Sequence, residues 1–315
     1  MLTGRALPSS QAGRMELTHY FPMAWYEKVT RRYRVHCPQR GVYTYGPARV
    51  TVGDLLGLRE TETTFPETDT LIVYPRVLPL DKPGIPSAQL LGEIRTRGSL
   101  HQDPILTVGV RDYSSGDSLK HIHWKTSART GHLSTKVYEP TTSMDMCIFL
   151  DVRTTIPPMI GNMPHLTELG IITCASLCYR TAEDGFRVGL YINEWRFRPG
   201  EVVRLPPSRH TGQMPLVLEH LARIQPLPNE CIPMGTLVLN ESAGLPWGST
   251  VVVISAAPTE GLLSALARVK RAGRPAALIV VGDAGVPLRR EGLGIYRVPD
   301  DLLWNELESV PLRVV

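Results

Sequence analysis

Nowhere does the sequence hold a run of about 18 apolar residues, the length that a membrane-crossing helix needs, so no span is read in it. Its first stretch, Met1 to Arg14, has neither an apolar signal core nor an arginine-rich amphipathic pattern and reads as a loose polar lead-in. Cysteine is sparse: Cys37, Cys147, Cys174, Cys178 and Cys231 are an odd five without C-x-x-C spacing. That argues against a disulfide framework and for buried thiols in a reducing compartment. Phosphate-binding glycine signatures are missing too. Gly282-Asp283-Ala284-Gly285 follows an apolar run but matches neither G-x-G-x-x-G nor G-K-[ST], which makes it an ordinary loop. Charge of one sign is lacking: 34 Lys and Arg face 30 Asp and Glu, a net +4. No clustered basic stripe of a dedicated nucleic-acid binder is expected, and that reading would demand the Arg and Lys residues on one face. Neither internal repeats nor low-complexity tracts occur.

What is present is the material for two domains: 315 residues, 43% hydrophobic and 20% charged, a globular composition. The expected division is a polar lead-in over 1–30, a β-rich domain over 31–140 and an α/β domain over 141–315. In the first half Tyr33 and Val35 alternate with Arg34 and His36, and Pro38-Gln39-Arg40-Gly41 supplies a turn. Val42 to Tyr45, Val50 to Val52 and Leu71 to Tyr74 are further strand candidates, and Leu80 to Arg97 reads as an exposed connection.

The pattern changes at Met146. Cys147-Ile148-Phe149-Leu150 is a continuous apolar run, the mark of a strand buried on both faces. Pro164 to Asp184 predicts a helix, with Pro in the first turn and Gly185 at the stop. A strand is expected over Phe186 to Ile192, a helix over 213–224, and a strand over Val251 to Ile254. Then come a helix from Thr259 to Ala272, strands at Ala276 to Val281 and Gly294 to Val298, and a last helix over 300–309; 235–245 is ambiguous between strand and helix. Buried strands alternating with amphipathic helices predict a doubly wound, Rossmann-like, largely parallel sheet.

Between the halves, Gly109 to Arg129 gathers six charged side chains, two histidines, a Trp and a Tyr into 21 residues. Ser115-Gly116-Asp117 should form a turn. Arg and Trp are common anchors of protein interfaces, and the same residues can equally form an internal ion-pair network. The run R-D-Y-x-x-G-D-x-x-x-x-I-H-W-K-x-S-A-R, then Leu133, Lys136 and Glu139, resembles the signature of the bacterial family called domain of unknown function 58. Its marking residues here are Arg111, Asp112, Tyr113, Gly116, Asp117, His123, Trp124, Lys125, Ser127, Arg129 and Glu139. Arg40-Gly41-Val42-Tyr43, Gly46-Pro47, Asp54 to Leu58, Val73-Tyr74-Pro75 and Phe149-Leu150-Asp151 agree with it. Lys120 stands where Arg is usual, and Leu55-Leu56 replace Pro-Phe.

The resemblance implies a β-rich domain followed by one similar to the von Willebrand factor type A fold, in a family usually anchored by two N-terminal membrane helices. It also implies a MoxR-type AAA ATPase partner, with other proteins of the same operon, and a cytoplasmic place at the inner face of the membrane. The type A fold carries a D-x-S-x-S magnesium motif, here Asp151-Val152-Arg153-Thr154-Thr155. Asp151 and Thr155 suit a hard cation, but the Arg153 guanidinium cannot ligate one and repels it. Ser255 also stands where a later acidic ligand belongs. A degenerate site without Mg²⁺ is therefore expected, with Arg153 paired to Asp151 in place of the ion, and no cofactor.

Function follows as a non-enzymatic adaptor for the ATPase in protein assembly or maturation, with no nucleic-acid partner. Its binding surface is the C-terminal edge of the sheet around Asp151 to Thr155 and Ser255 to Thr259. The alternative is a metal-dependent hydrolase using Asp112, Asp117, His121 and His123 within segment 111–123, since i and i+2 on a strand share a face. Against it stands a polar scaffold that holds the two domains in register. Cys174 and Cys178, at i and i+4, are read as core packing. Lys270, Arg271 and Arg274 are read as helix-end charges.

Overall fold

The computed structural model describes residues 6–8, 15–32, 34–54, 58–81, 107–114, 122–138, 145–155, 162–194, 202–225, 231–246, 248–283, 293–301 and 303–314. By contacts the chain divides into Met1–Pro38 and Gln39–Val315. In the short unit, strand β1 (Ala6–Pro8) pairs antiparallel with β2 (Met15–Leu17). Arg34 to His36, expected as a strand, are irregular and exposed. Alternation is not enough where the apolar position, Val35, stands 72% open to solvent.

In the large unit, β3 (Gly41–Tyr45) pairs antiparallel with β6 (Asp69–Val73), and β4 (Ala48–Gly53) with β5 (Glu60–Phe65). Strand β5 was not expected, because Glu60-Thr61-Glu62-Thr63-Thr64 has no apolar face. Cross-strand partners hold it, including Arg49 with Glu62 at 2.8 Å. Leu80–Asp81 (β7) is a two-residue strand parallel to a late one, and the rest of the expected connection lies outside the described residues.

The family-signature segment forms β8 (Thr107–Asp112), helix α1 (Trp124–Thr130) and β9 (Ser134–Tyr138), with β8 and β9 antiparallel. Then comes β10 (Asp145–Leu150), buried along its whole length as its apolar run requires. The remaining elements are α2 (Pro164–Glu183), β11 (Arg187–Ile192), β12 (Val203–Ser208), α3 (Gln213–Ala222) and α4 (Met234–Ser242). They continue with β13 (Thr250–Ser255), α5 (Glu260–Arg271), β14 (Ala276–Val281), β15 (Gly294–Val298), β16 (Val310–Pro311) and β17 (Arg313–Val314).

Seven strands form the main sheet in the order β12-β11-β10-β13-β14-β15-β17. The five from β11 to β15 are parallel, and β12 and β17 are antiparallel edges. This is a mixed α/β fold with a doubly wound sheet, as expected from the sequence. Alternating side chains feed two cores. Met146, Ile148 and Leu150 face α2 and α3 with Ile254, Ile279 and Leu169. Cys147 and Phe149 face α4 and α5 with Val253, Leu237 and Leu266. Phe149 stacks on Tyr191 with ring centroids 4.6 Å apart. Cys174 and Cys178 are buried in the first core, as expected for packing residues. Burial and the neighbouring Cys178 thiol push the Cys174 thiol well above its ordinary value.

Three further segments, all in the second half, resolve or depart from the sequence reading. The ambiguous 235–245 is helical as α4. Strand β12 was missed because Pro206 and Pro207 argue against a central strand, and it is an edge. The helix expected over 300–309 does not form; a turn occupies Trp304 to Glu306. Its carbonyls are spent elsewhere: Arg76 Nη1 donates to Asn305 O at 2.8 Å and Nη2 to Leu307 O at 2.8 Å.

Candidate functional site

Order along the sheet reverses between β10 and β13, and at such a switch point an open α/β sheet leaves a crevice beyond its strand ends. Asp151 follows β10 there, its amide donating to Ile254 O at 2.9 Å. The residue is 5% exposed, so its carboxylate must find donors inside the protein. It finds four. Asn193, directly after β11, donates Nδ2 to Oδ1 at 2.7 Å, and Ser255, closing β13, donates its hydroxyl to Oδ2 at 3.0 Å. Arg153 donates its backbone amide at 3.2 Å and Nε at 3.3 Å to Oδ1.

The pairing of Arg153 with Asp151 expected from the sequence is thus present. Asn193 was not singled out in the sequence, although its position one residue past a buried strand was a usable signal. It accepts from Val152 N at 2.9 Å and donates to Ile232 O at 3.1 Å, bracing the loop that carries Arg153. Thr154 fixes the same loop to the start of α2: its amide donates to Asn162 Oδ1 at 2.9 Å, and its hydroxyl accepts from Met163 N at 2.6 Å. Thr155, the other residue expected to suit a cation, is half-buried beside it.

Cys231 joins this cluster through a bridge to Glu194. Burial, reinforced by the Asp151 charge and opposed by Arg153, pushes its thiol up to about 12, so it stays protonated at neutral pH. The crevice between Asp151, Ser255, Thr167 and Gly170 is narrow, about 10 Å³. That is room for roughly one water and far below the volume a small-molecule site occupies. Among the described residues no three His, Cys, Asp or Glu side chains gather to hold a metal.

The signature segment is arranged differently from the shared strand face considered above. His123 sits at the N-terminus of α1, not on a strand, and its Nδ1 accepts from Thr126 N at 3.1 Å. A ring nitrogen so used is spent on capping. Ser127 Oγ accepts from Ser134 N at 2.9 Å, and His123 N donates to Ser134 O at 2.8 Å, so α1 and β9 are tied together. Gly131, at φ 72°, ends the helix. Arg111, Asp112, Trp124, Lys125 and Arg129 are exposed, Tyr113 and Ser127 half-buried, and Ile122, Ser134 and Thr135 buried. Gly116, Asp117, His121 and Glu139 lie outside the described residues, as does the turn expected at Ser115 to Asp117.

Two other groups weighed in the sequence take structural roles. Arg274 donates to Leu245 O at 2.8 Å and Pro246 O at 2.6 Å. Asp283, after Gly282, pairs with Arg297 at 3.0 Å, and residues 284–290 are outside the described set.

Residues 109–282 match the family model described as "Protein of unknown function DUF58", and the chain belongs to that family. A relative from Bacillus subtilis (strain 168), "Uncharacterized protein YeaD", is 33% identical over 134 residues, covering 40% of this chain and 32% of that protein. The chain therefore spans about a third of this relative's length. A solved structure, an aerotolerance-related membrane protein from Bacteroides fragilis, matches at a TM-score of 0.32 and 16% identity, covering 54% of this chain and 80% of that one. Among the described residues no helix is long and apolar enough to cross a membrane.

Proposed function

We propose that the protein is a non-enzymatic adaptor that works with a MoxR-type AAA ATPase in protein assembly or maturation, at the cytoplasmic face of the membrane. The partner class comes from the resemblance of the signature segment, and the surface from the fold. One observation carries the reading: the carboxylate in the ligand position of the sheet, Asp151, has its oxygens taken by Arg153, Asn193 and Ser255. A cation at this position would have to displace a guanidinium and two neutral donors. The crevice beside it is too small for a substrate. What remains at the strand ends is a hydrogen-bonded surface in which Arg153 is part-exposed, suited to a protein partner rather than to a small molecule.

The test is capture of the purified ATPase by the purified chain without membranes present. Binding that Arg153→Glu weakens tenfold or more, while the melting temperature is kept, supports the adaptor at this surface. No binding to any MoxR-type ATPase encoded beside the gene overturns it.

A further inference from the structure

We infer that the groove between the C-terminal ends of α4 and α5 binds an organic phosphate of nucleotide size. Arg268, Arg271 and Arg274 hold its phosphates, and its apolar body lies on Leu239 and Val269.

The groove has a volume of about 580 Å³. Small-molecule sites occupy roughly 300–1,000 Å³, a range the crevice beside Asp151 does not reach. Part of the lining is apolar: Val269 belongs to the second core, and Leu239 packs against it. The three guanidiniums complete the lining, and among the described residues that form it there is no Asp or Glu. Glu241, near the end of α4, is already taken by Arg204 at 2.7 Å.

Helix ends explain only part of this charge. A helix C-terminus carries about half a negative charge and favours a cation in its last turn. Here Arg268, Lys270, Arg271 and Arg274 stand within seven residues, with no acid among them. Two helix ends offset roughly one of the three lining charges, which leaves about +2 at the groove.

Spacing and anchoring make that charge usable. Arg268 and Arg271, at i and i+3, lie on one face of α5, and both are exposed. Arg274 is half-buried and held in place, with Nη2 donating to Leu245 O at 2.8 Å and Nη1 to Pro246 O at 2.6 Å. A cation fixed in this way needs little further ordering when an anion arrives. Guanidiniums stay charged at neutral pH and can grip phosphate oxygens in pairs. An inorganic anion would use the arginines and leave the apolar lining wet, and an uncharged molecule would do the reverse. An organic phosphate satisfies both. Because α4 and α5 lead into β13 and β14, their C-terminal ends lie across the sheet from Asp151. Ligand binding here therefore stands or falls separately from ATPase binding at the crest.

The test is titration calorimetry of the full chain alone with magnesium-free ADP, which carries both parts, against adenosine and inorganic pyrophosphate. ADP should bind at least about tenfold more tightly than either fragment. Arg268→Ala with Arg271→Ala should weaken ADP at least about tenfold. Both side chains are exposed, so the melting midpoint should hold. Ala243→Leu, at the exposed end of α4, puts bulk into the groove without touching a charge and should also weaken ADP. No binding of ADP at millimolar concentration overturns the site, as does binding that the double variant leaves intact. Pyrophosphate bound as tightly as ADP reduces the groove to a charged patch, and adenosine bound as tightly leaves the arginines idle; either result overturns it too.

Discussion

Arg40 and Glu168 form a two-pronged ion pair between the start of β3 and the second turn of α2, with Nε to Oε2 at 2.9 Å and Nη2 to Oε1 at 2.7 Å. The remaining Nη1 donates to the carbonyls of Leu221, Ala222 and Ile224 at 3.0, 3.1 and 2.8 Å, at the end of α3. One guanidinium thus serves two helices and adds a charged donor to carbonyls at and just beyond the C-terminus of α3. The Arg40 side chain is 6% exposed.

Removing it should be costly. Arg40→Ala strips Glu168 and the carbonyls of Ala222 and Ile224 of this donor, and a loss of about 3 kcal/mol is expected. Arg40→Lys should recover little, since one ammonium cannot reach both the carboxylate and the carbonyls. Urea unfolding of the two variants checks this, and a Lys variant of near-native stability would refute it.

The Arg153–Asp151 ion pair yields a gain-of-binding experiment. Arg153→Ser rebuilds the hydroxyl that the magnesium motif requires and removes the positive charge beside Asp151. Titration calorimetry should show no Mg²⁺ binding in the native chain at millimolar concentration and weak binding in the variant. Binding by the native chain would mean that a cation displaces the guanidinium.

Cys231 offers a chemical reporter of the same cluster. Burial and the Asp151 carboxylate raise its thiol, and Glu194 adds to the effect. Alkylation at pH 8 should therefore run at least about tenfold slower than for a thiol of ordinary pKa. Because the Asp151 and Glu194 charges are part of the cause, Glu194→Gln should speed labelling at fixed pH. Peptide mass spectrometry after timed iodoacetamide exposure reads both rates, and an unchanged rate in the variant would remove Glu194 from the explanation.

Stability at high pH follows from Cys147. The residue is fully buried, and burial with the Asp145 charge holds its thiol at about 12. The folded value lies above the unfolded one, so the native state holds a proton that the unfolded chain gives up. The contribution is constant below the unfolded pKa, roughly 9, and is lost as pH rises toward the folded one. Between these limits the loss approaches about 1.4 kcal/mol per pH unit from this thiol alone. Melting should fall steeply above pH 9, and Cys147→Ala should flatten the fall while lowering stability at neutral pH. An equal slope in both proteins would place the alkaline sensitivity elsewhere.

Much of the second half was legible because a strand buried on both faces must be apolar throughout. Met146 to Leu150 and Val251 to Ile254 could be little else, and Gly185 and Gly273, at φ 81° and 85°, stop their helices as expected. Where long-range partners decide, the sequence was mute. The 300–309 segment has a helical composition, but Arg76 arrives from far along the chain and takes its carbonyls. Strand β5 is polar and exists through its ladder with β4. At the site, Asp151 and Arg153 were reached through the family resemblance and the magnesium motif that it implies. Asn193 carried a signal in its place just past a buried strand, whereas Cys231 carried none, because only the isolated bridge to Glu194 brings it there.

The borders of the main sheet have a consequence of their own. At one side β12 presents Pro206 and Pro207, which have no N–H to offer, and Gly189 of β11 accommodates their close approach: a β-carbon there would lie 3.0 Å from Leu205 O and Pro207 N. At the other side β17 is two residues long. Neither border can recruit a further strand over any useful length. Sideways growth of the main sheet is thus blunted at both borders, although its centre is rich in valine and isoleucine.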